Sequence, residues 1–308
     1  MLHLDISATA HGPNYLPQYY AEQEGLFAAR DIVVNDTACD PWTGVLDDLD
    51  SGAADVALGG LWVPGMYAQG PRDLTVFAQV NHQFPKALVT RKQYPDFTWS
   101  DLEGATVLAP GIGGSAPYAF TSGLIRESGV DPSSITFLRD LSTPMFVELF
   151  DAGLGDAIIL DMTTAEALQH RASGHIAIDY TVAGGLGPNS VYYCRTDRFA
   201  ELSDRLFVFV SALQEAMQLL KSVTSEDLAP LLAAHWPTIP AAVLAKSCDT
   251  MLHSRTWDTV CIDAEATNRW MRILHEEKMV RTAPTFEQLV DTSIVDQLSP
   301  TASWKSLQ

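Results

Sequence analysis

Short apolar runs alternate with amphipathic stretches, and the alternation occurs twice along the chain. In the first set, apolar runs at 2–6, 32–34, 56–58 and 74–80 are separated by helical spacing at 16–27 and 45–49. Strand, helix and strand in that rhythm make βαβ units, in which parallel strands are covered by helices on their faces. Gly25 stands where the first helix should stop. A second set follows the turn-rich approach 99–104, with strands expected at 105–109, 135–138 and 157–160 and helices at 118–128 and 144–152. From residue 198 onward the pattern becomes helical, at 205–220, 228–234, 241–253 and 264–277, and two short helices at 285–291 and 293–298 are expected to pack on the first set. No low-complexity tract separates the sets. The reading is therefore two similar lobes joined by strands, with a hinge between them.

A chain of 308 residues that is 47% hydrophobic can bury cores of this size. Its formal charge of −19 opposes nucleic-acid phosphate and anionic membrane surfaces, although local donors in a cleft could still hold a small anion. Cys39, Cys194, Cys248 and Cys261 show no C-x-x-C spacing, so they read as reduced packing residues. No run of about 18 apolar residues predicts a membrane span. The opening Met1-Leu2-His3-Leu4-Asp5-Ile6 lacks the pattern of an export signal, and a cytoplasmic location is expected.

Four stretches carry a resemblance: Tyr19-Tyr20-Ala21-Glu22-Gln23-Glu24-Gly25-Leu26-Phe27, the run 46–57 ending Gly52-Ala53-Ala54-Asp55-Val56-Ala57, the run from Asp101-Leu102-Glu103-Gly104 to Gly114-Ser115, and the run 149–157. In order and spacing they resemble the sulfonate/nitrate-binding and thiamine-pyrimidine-synthase-like family of the type II periplasmic-binding-protein fold. The resemblance covers nearly the whole chain. It implies an α/β fold of two lobes, each a mixed sheet flanked by helices, with a helical C-terminal extension. Residues 1–90 and 191–308 would form the first lobe with the C-terminal helices, and 91–190 the second. Two departures limit the activity that it implies. The strand and turn Asp55-Val56-Ala57-Leu58-Gly59-Gly60-Leu61-Trp62 hold no lysine for pyridoxal phosphate, and the later region has the single Cys194, so the pyrimidine-synthase activity is not expected. The first loop, Ala8-Thr9-Ala10-His11-Gly12-Pro13-Asn14, lacks the cysteine that a related sulfinate-cleaving enzyme uses.

In open α/β sheets ligands bind beyond the carboxyl ends of strands, and the resemblance places them between the lobes. The loops so indicated contain His11, Asn14 and Tyr15, then Gly59, Gly60 and Trp62, then Gly113, Gly114 and Ser115, and finally Asp161 and Asn189. His11 could bind an anion or move a proton, or simply stabilise a turn. His82, in the crossover Asn81-His82-Gln83-Phe84, could reach a ligand or pack the hinge. The glycine turn before a helix could present N–H groups to a carboxylate, sulfonate or phosphate, or could serve only as a tight turn. Trp42, Trp62, Phe84 and Tyr118 could wall a pocket for a planar ligand or belong to the core. Asp161 could bind a ligand amine or hydroxyl, or cap a helix beside Thr163 and Thr164. Asp47, Asp48 and Asp50 read as a solvated helix face, and His170 and His175 do not make a metal site.

Two functions fit this sequence. The first is a binding protein whose lobes close on an organic ligand of acidic, aromatic or heterocyclic character. The second is a cytoplasmic lyase, decarboxylase or dehydratase with His11 as acid or base. Neither calls for a metal or cofactor. A small molecule is the expected partner, and a transporter would join it only if the protein is exported.

Overall fold

The computed structural model describes residues 1–68, 70–111 and 116–298. The chain begins with β1 (Leu2–Ala8), α1 (Leu16–Gln23), β2 (Ile32–Ala38), α2 (Gly44–Ser51), β3 (Val56–Gly60), α3 (Trp62–Tyr67) and β4 (Leu74–Asn81). It then crosses to β5 (Lys86–Thr90), β6 (Thr106–Ala109), α4 (Ala116–Glu127), β7 (Thr136–Arg139), α5 (Thr143–Asp151), β8 (Ala157–Asp161), α6 (Met162–His170), β9 (His175–Asp179) and α7 (Tyr180–Ala183). It returns through β10 (Ser190–Arg195). The remainder is helical: α8 (Thr196–Leu220), α9 (Ala229–His235), α10 (Ala241–His253), α11 (Ala264–Glu276) and α12 (Phe286–Leu289).

Two five-stranded sheets result, ordered β2-β1-β3-β10-β4 and β7-β6-β8-β5-β9. In the first, β1 is parallel to β2 and β3, and β10 is antiparallel to β3 and β4. The second repeats the plan: β6 is parallel to β7 and β8, and β5 is antiparallel to β8 and β9. Each antiparallel strand is the one that the chain lays down on arriving from the other sheet. The passages between sheets are therefore 82–85 and 180–189, and both are short.

Local chemistry explains the boundaries. α1 stops where Gly25 takes φ +68°, a left-handed conformation that glycine adopts without a Cβ clash. Asp161 and Asp263 cap α6 and α11 by accepting from Thr164 N at 2.9 Å and Ala266 N at 2.7 Å. The expectation that the short C-terminal segments pack on the first lobe holds: Val290 bridges to Val76, and Asp291 N donates to Val76 O at 2.9 Å.

The larger C-terminal helices reach both lobes. α11 buries Trp270, Met271, Ile273 and Leu274 in one core with residues of both sheets, including Val76 and Val107. Its charged side meets α4, where Arg126 pairs with Glu276 at 2.8 Å and Arg269 with Glu127 at 2.6 Å. α10 meets α6, where the Thr163 hydroxyl donates to Ser247 Oγ at 3.2 Å. At the crossover, the Phe84 ring stacks on Phe120 with centroids 3.5 Å apart, and Trp270 stands edge-on to both. A phenyl pair packed against an indole excludes water and fixes the passage by shape.

Gly123 lets α4 and α11 approach, because a Cβ there would lie 2.7 Å from Ile273 Cδ1 and 2.9 Å from its two other branch carbons. Gly123→Val should therefore overpack this seam and destabilise the protein by about 1–3 kcal/mol. A lowered urea midpoint with an unchanged slope would show it, and a midpoint equal to wild type would contradict the close packing.

Candidate functional site

A cavity of about 460 Å³ opens where the two sheets face each other. Its first-lobe side is the loop after β1, which runs from Thr9 through His11 to Tyr15. This loop is pinned from behind. Asn14 O accepts from Asn81 Nδ2 at 2.7 Å and from Trp257 Nε1 at 3.0 Å, and His11 O accepts from Trp236 Nε1 at 3.3 Å. Tyr15 is buried and shares a hydrogen bond with Thr9 Oγ1 at 3.2 Å, and burial raises its phenol pKa, so it meets the cleft as a neutral group. The His11 ring is held by a 2.9 Å hydrogen bond between its Nδ1 and Tyr19 OH, and it stacks on His235 with centroids 5.4 Å apart. Burial, with His11 second, lowers the pKa of His235, so that ring favours its neutral form.

The second-lobe side is built by β5, β8 and the start of α6. Lys86 and Asp161 face each other in the antiparallel β5–β8 ladder, and both line the cavity. Asp161 is already engaged, since its two oxygens accept from Thr164 N at 2.9 Å and Thr164 Oγ1 at 2.7 Å. Among the described residues no hydrogen bond or ion pair holds the Lys86 ammonium. Burial lowers its pKa, and the nearby Asp161 charge opposes that shift. Lys86 is the one lysine or arginine among the described residues that line the cavity. Such a site can hold one small molecule with an anionic group on Lys86, hydrogen bonds from Asn189 and Ser190, and apolar faces on Trp62 and Trp236.

Of the residues expected from the sequence, His11, Asn14, Tyr15, Gly60, Trp62, Asp161 and Asn189 come together around this cavity. Asp161 does so while also capping α6, so its two readings coexist. Gly60 seats the Trp62 indole, because a Cβ there would lie 2.3 Å from the indole Cδ1 and Nε1.

Five candidates lie elsewhere, and Phe84 is the one already placed in the crossover stack on Phe120. Gly59 is buried inside β3, where a Cβ would meet Thr9 Cγ2 at 2.7 Å, so it serves strand packing. Trp42 packs edge-on against Trp62 at 5.1 Å and lines a neighbouring pocket. His82 ties the crossover together: its N–H donates to Thr256 O at 3.2 Å, and its carbonyl accepts from Gly187 N at 2.9 Å. Burial lowers its imidazole pKa. Tyr118 turns onto Phe137 and beneath the Arg139 guanidinium, 4.4 Å from its ring centre. Gly113, Gly114 and Ser115 lie outside the described residues. Asp48, assigned to a solvated face, instead accepts from the Ser7 hydroxyl at 2.6 Å and the Cys39 thiol at 3.2 Å.

Sequence reasoning missed Lys86 and the wall of Trp236, Ile239 and Met251 supplied by the C-terminal region. A signal for Lys86 existed, since it is one of only six lysines and opens the apolar strand Ala87-Leu88-Val89 directly after the crossover. Trp236 had none, because helical periodicity does not say which helix backs a distant loop.

Two sheets of this plan, each holding an antiparallel strand delivered by a crossover and facing each other across a ligand-sized cavity, define the type II periplasmic-binding-protein fold. Residues 12–223 match the family described as NMT1/THI5 like, and the chain belongs to that family. No curated protein sequence matches it. Among solved structures it is similar to the ligand-binding component of an ABC-type import system from Staphylococcus aureus, with a TM-score of 0.76 and 11% identity over 97% of this chain and 99% of that one. It is also similar to the periplasmic aliphatic sulphonate-binding protein SsuA from Escherichia coli, with a TM-score of 0.75 and 19% identity over 94% and 97% of the two chains. The desulfurization enzyme DSZB shares the fold with a TM-score of 0.68 and 12% identity over 96% of this chain and 98% of that one. The chain therefore has the periplasmic-binding-protein fold in an NMT1/THI5-like sequence.

The cap role of Asp161 makes a direct prediction. Asp161→Ala should lower stability by about 0.5–2 kcal/mol, whereas Asp161→Asn, which keeps an acceptor for Thr164 N, should stay within a few tenths. Urea unfolding of the two variants measures this, and equal losses would remove the cap from the explanation.

Proposed function

We propose that this protein binds a small organic anion of the carboxylate or sulfonate class in the cleft, and that its lobes close over it. The observation that carries the reading is the Lys86 ammonium, which lines the cavity without a partner among the described residues. A cation partly drawn out of water, whose nearby carboxylate Asp161 is already hydrogen-bonded to Thr164, gains from contact pairing with an arriving anion. This local term can outweigh the repulsion expected from the chain's net charge of −19, because the pair forms at contact while the other charges are distant and screened. The sulphonate-binding name of the Escherichia coli neighbour agrees with this ligand class. The four cysteines are free thiols, which suits a reducing compartment, and cytoplasmic residence is part of the proposal.

Calorimetric titration with a panel of small carboxylates and sulfonates tests the reading. Lys86→Met should weaken binding about 10- to 100-fold, the range set by losing a charge-assisted hydrogen bond. Unchanged affinity in that variant would sink the proposal.

The pH dependence has a definite sign. A bound anion raises the pKa of Lys86 above its lowered value in the free protein, so binding takes up a proton between the two values. Affinity should be full below the free-protein pKa of Lys86 and fall as pH rises through it. Tyr15, the buried phenol of the same cavity, titrates above the usual phenol range. The decline therefore reports Lys86, and Lys86→Met should flatten it.

One observation favours a second reading. His11 lines the same cavity with its ring oriented by Tyr19 and His235, an arrangement open to acid or base chemistry. Product formation from the same panel, abolished in His11→Ala, would replace the receptor with an enzyme.

A further inference from the structure

A second cavity of about 330 Å³ shares a wall with the cleft, and that wall is Trp62. Its lining is largely aromatic and aliphatic, with Trp42, Tyr67, Leu46, Val63 and Met66 beside Trp62. Several of these side chains are left incompletely covered. Trp42, Trp62 and Tyr67 are half-buried, and Met66 is 42% exposed. Two indoles set edge to face at 5.1 Å, with a thioether beside them, expose apolar surface to water that a bound ring would cover. A planar ring fits such walls, since stacked and edge-on arrangements are both open to it.

The charges at the rim narrow the occupant. Arg72 is satisfied locally, donating to Asp50 at 2.8 Å and to Tyr67 OH at 3.3 Å while its guanidinium lies over the Tyr67 ring. It has no call for an anion. Asp47, whose side chain is 85% exposed, adds a second ion pair to Arg72 at 3.7 Å, so the rim offers no unpaired cation. The pocket therefore suits an uncharged ring and not a second acidic group.

Trp62 stands between the two spaces with room on both sides of it. Gly60 brings the indole down onto the strand, where any side chain would collide with it. A half-buried ring that lines two solvent-open spaces can move between staggered rotamers that open one space into the other. We infer that the ligand is bipartite: an anionic head on Lys86 in the cleft and an aromatic tail in the side pocket, with Trp62 as the partition that turns to admit it. The head assignment rests on the reading of the cleft given above, whereas the tail assignment rests on the side pocket alone.

The test compares butyrate with 4-phenylbutyrate, which share a head and chain and differ by the ring, and adds 2-naphthol as a tail without an anionic head. Affinities are measured by calorimetry on wild type, Trp42→Ala and Met66→Trp, with urea melts confirming that each variant is folded. Neither substituted residue lines the cleft. The phenyl group should tighten wild-type binding at least tenfold. Trp42→Ala, which removes a wall, and Met66→Trp, which fills the space, should each erase most of that gain and leave butyrate unchanged. A phenyl gain equal in all three proteins, or no gain in wild type, would overturn the inference. If neither carboxylate binds, the reading of Lys86 fails separately and 2-naphthol decides the pocket: binding lost in Trp42→Ala sustains an aromatic site, and no binding to wild type overturns it.

Discussion

The exchange of one antiparallel strand between the two sheets is the constraint from which the site follows. β5 can pair with β8 and β9 only if the chain leaves the first sheet at Asn81 and enters the second at Lys86. So short a passage holds the sheets face to face and sets the first residue of β5 at the gap between them. Ladder register then places Lys86 opposite Asp161, the last residue of β8. The stacked pair Phe84 and Phe120 against Trp270 holds this passage by packing, not by charge.

The C-terminal helices complete the site as well as the fold. Trp236 and Trp257 donate to carbonyls of the loop after β1, and these two part-buried bonds fix the loop's path. α10 and α11 reach helices of the second lobe, so the two lobes are joined by the seams α6–α10 and α4–α11 as well as by the two strand passages. The hinge is thus buttressed on both sides by the extension.

The electrostatics of the cleft come from what is already engaged. Asp161 spends both carboxylate oxygens on Thr164, and Tyr15 stays protonated because burial disfavours the phenolate. Lys86 is left as a desolvated cation without a partner among the described residues. A strongly acidic protein can in this way present a single positive point to a small molecule, because short-range pairing is felt only inside the cleft.

The strands β5, β9 and β10 that flank the crossovers were not legible in the sequence, which by itself determined most of the other elements, the two similar lobes, the family resemblance and the loops that face the gap. Each of these is written in local order: apolar period sets strand or helix, Gly25 and Asp161 mark ends, and loops after strands point to one side of a sheet. Seven of the expected site residues reached the cavity for that reason. Tertiary structure alone decided that Lys86 would face the ligand space, that Trp236 would back it, and that Trp42, Gly59, His82 and Tyr118 would not line it. Those outcomes depend on register between strands distant in the chain and on which helix packs where, and neither is encoded in the spacing of neighbouring residues.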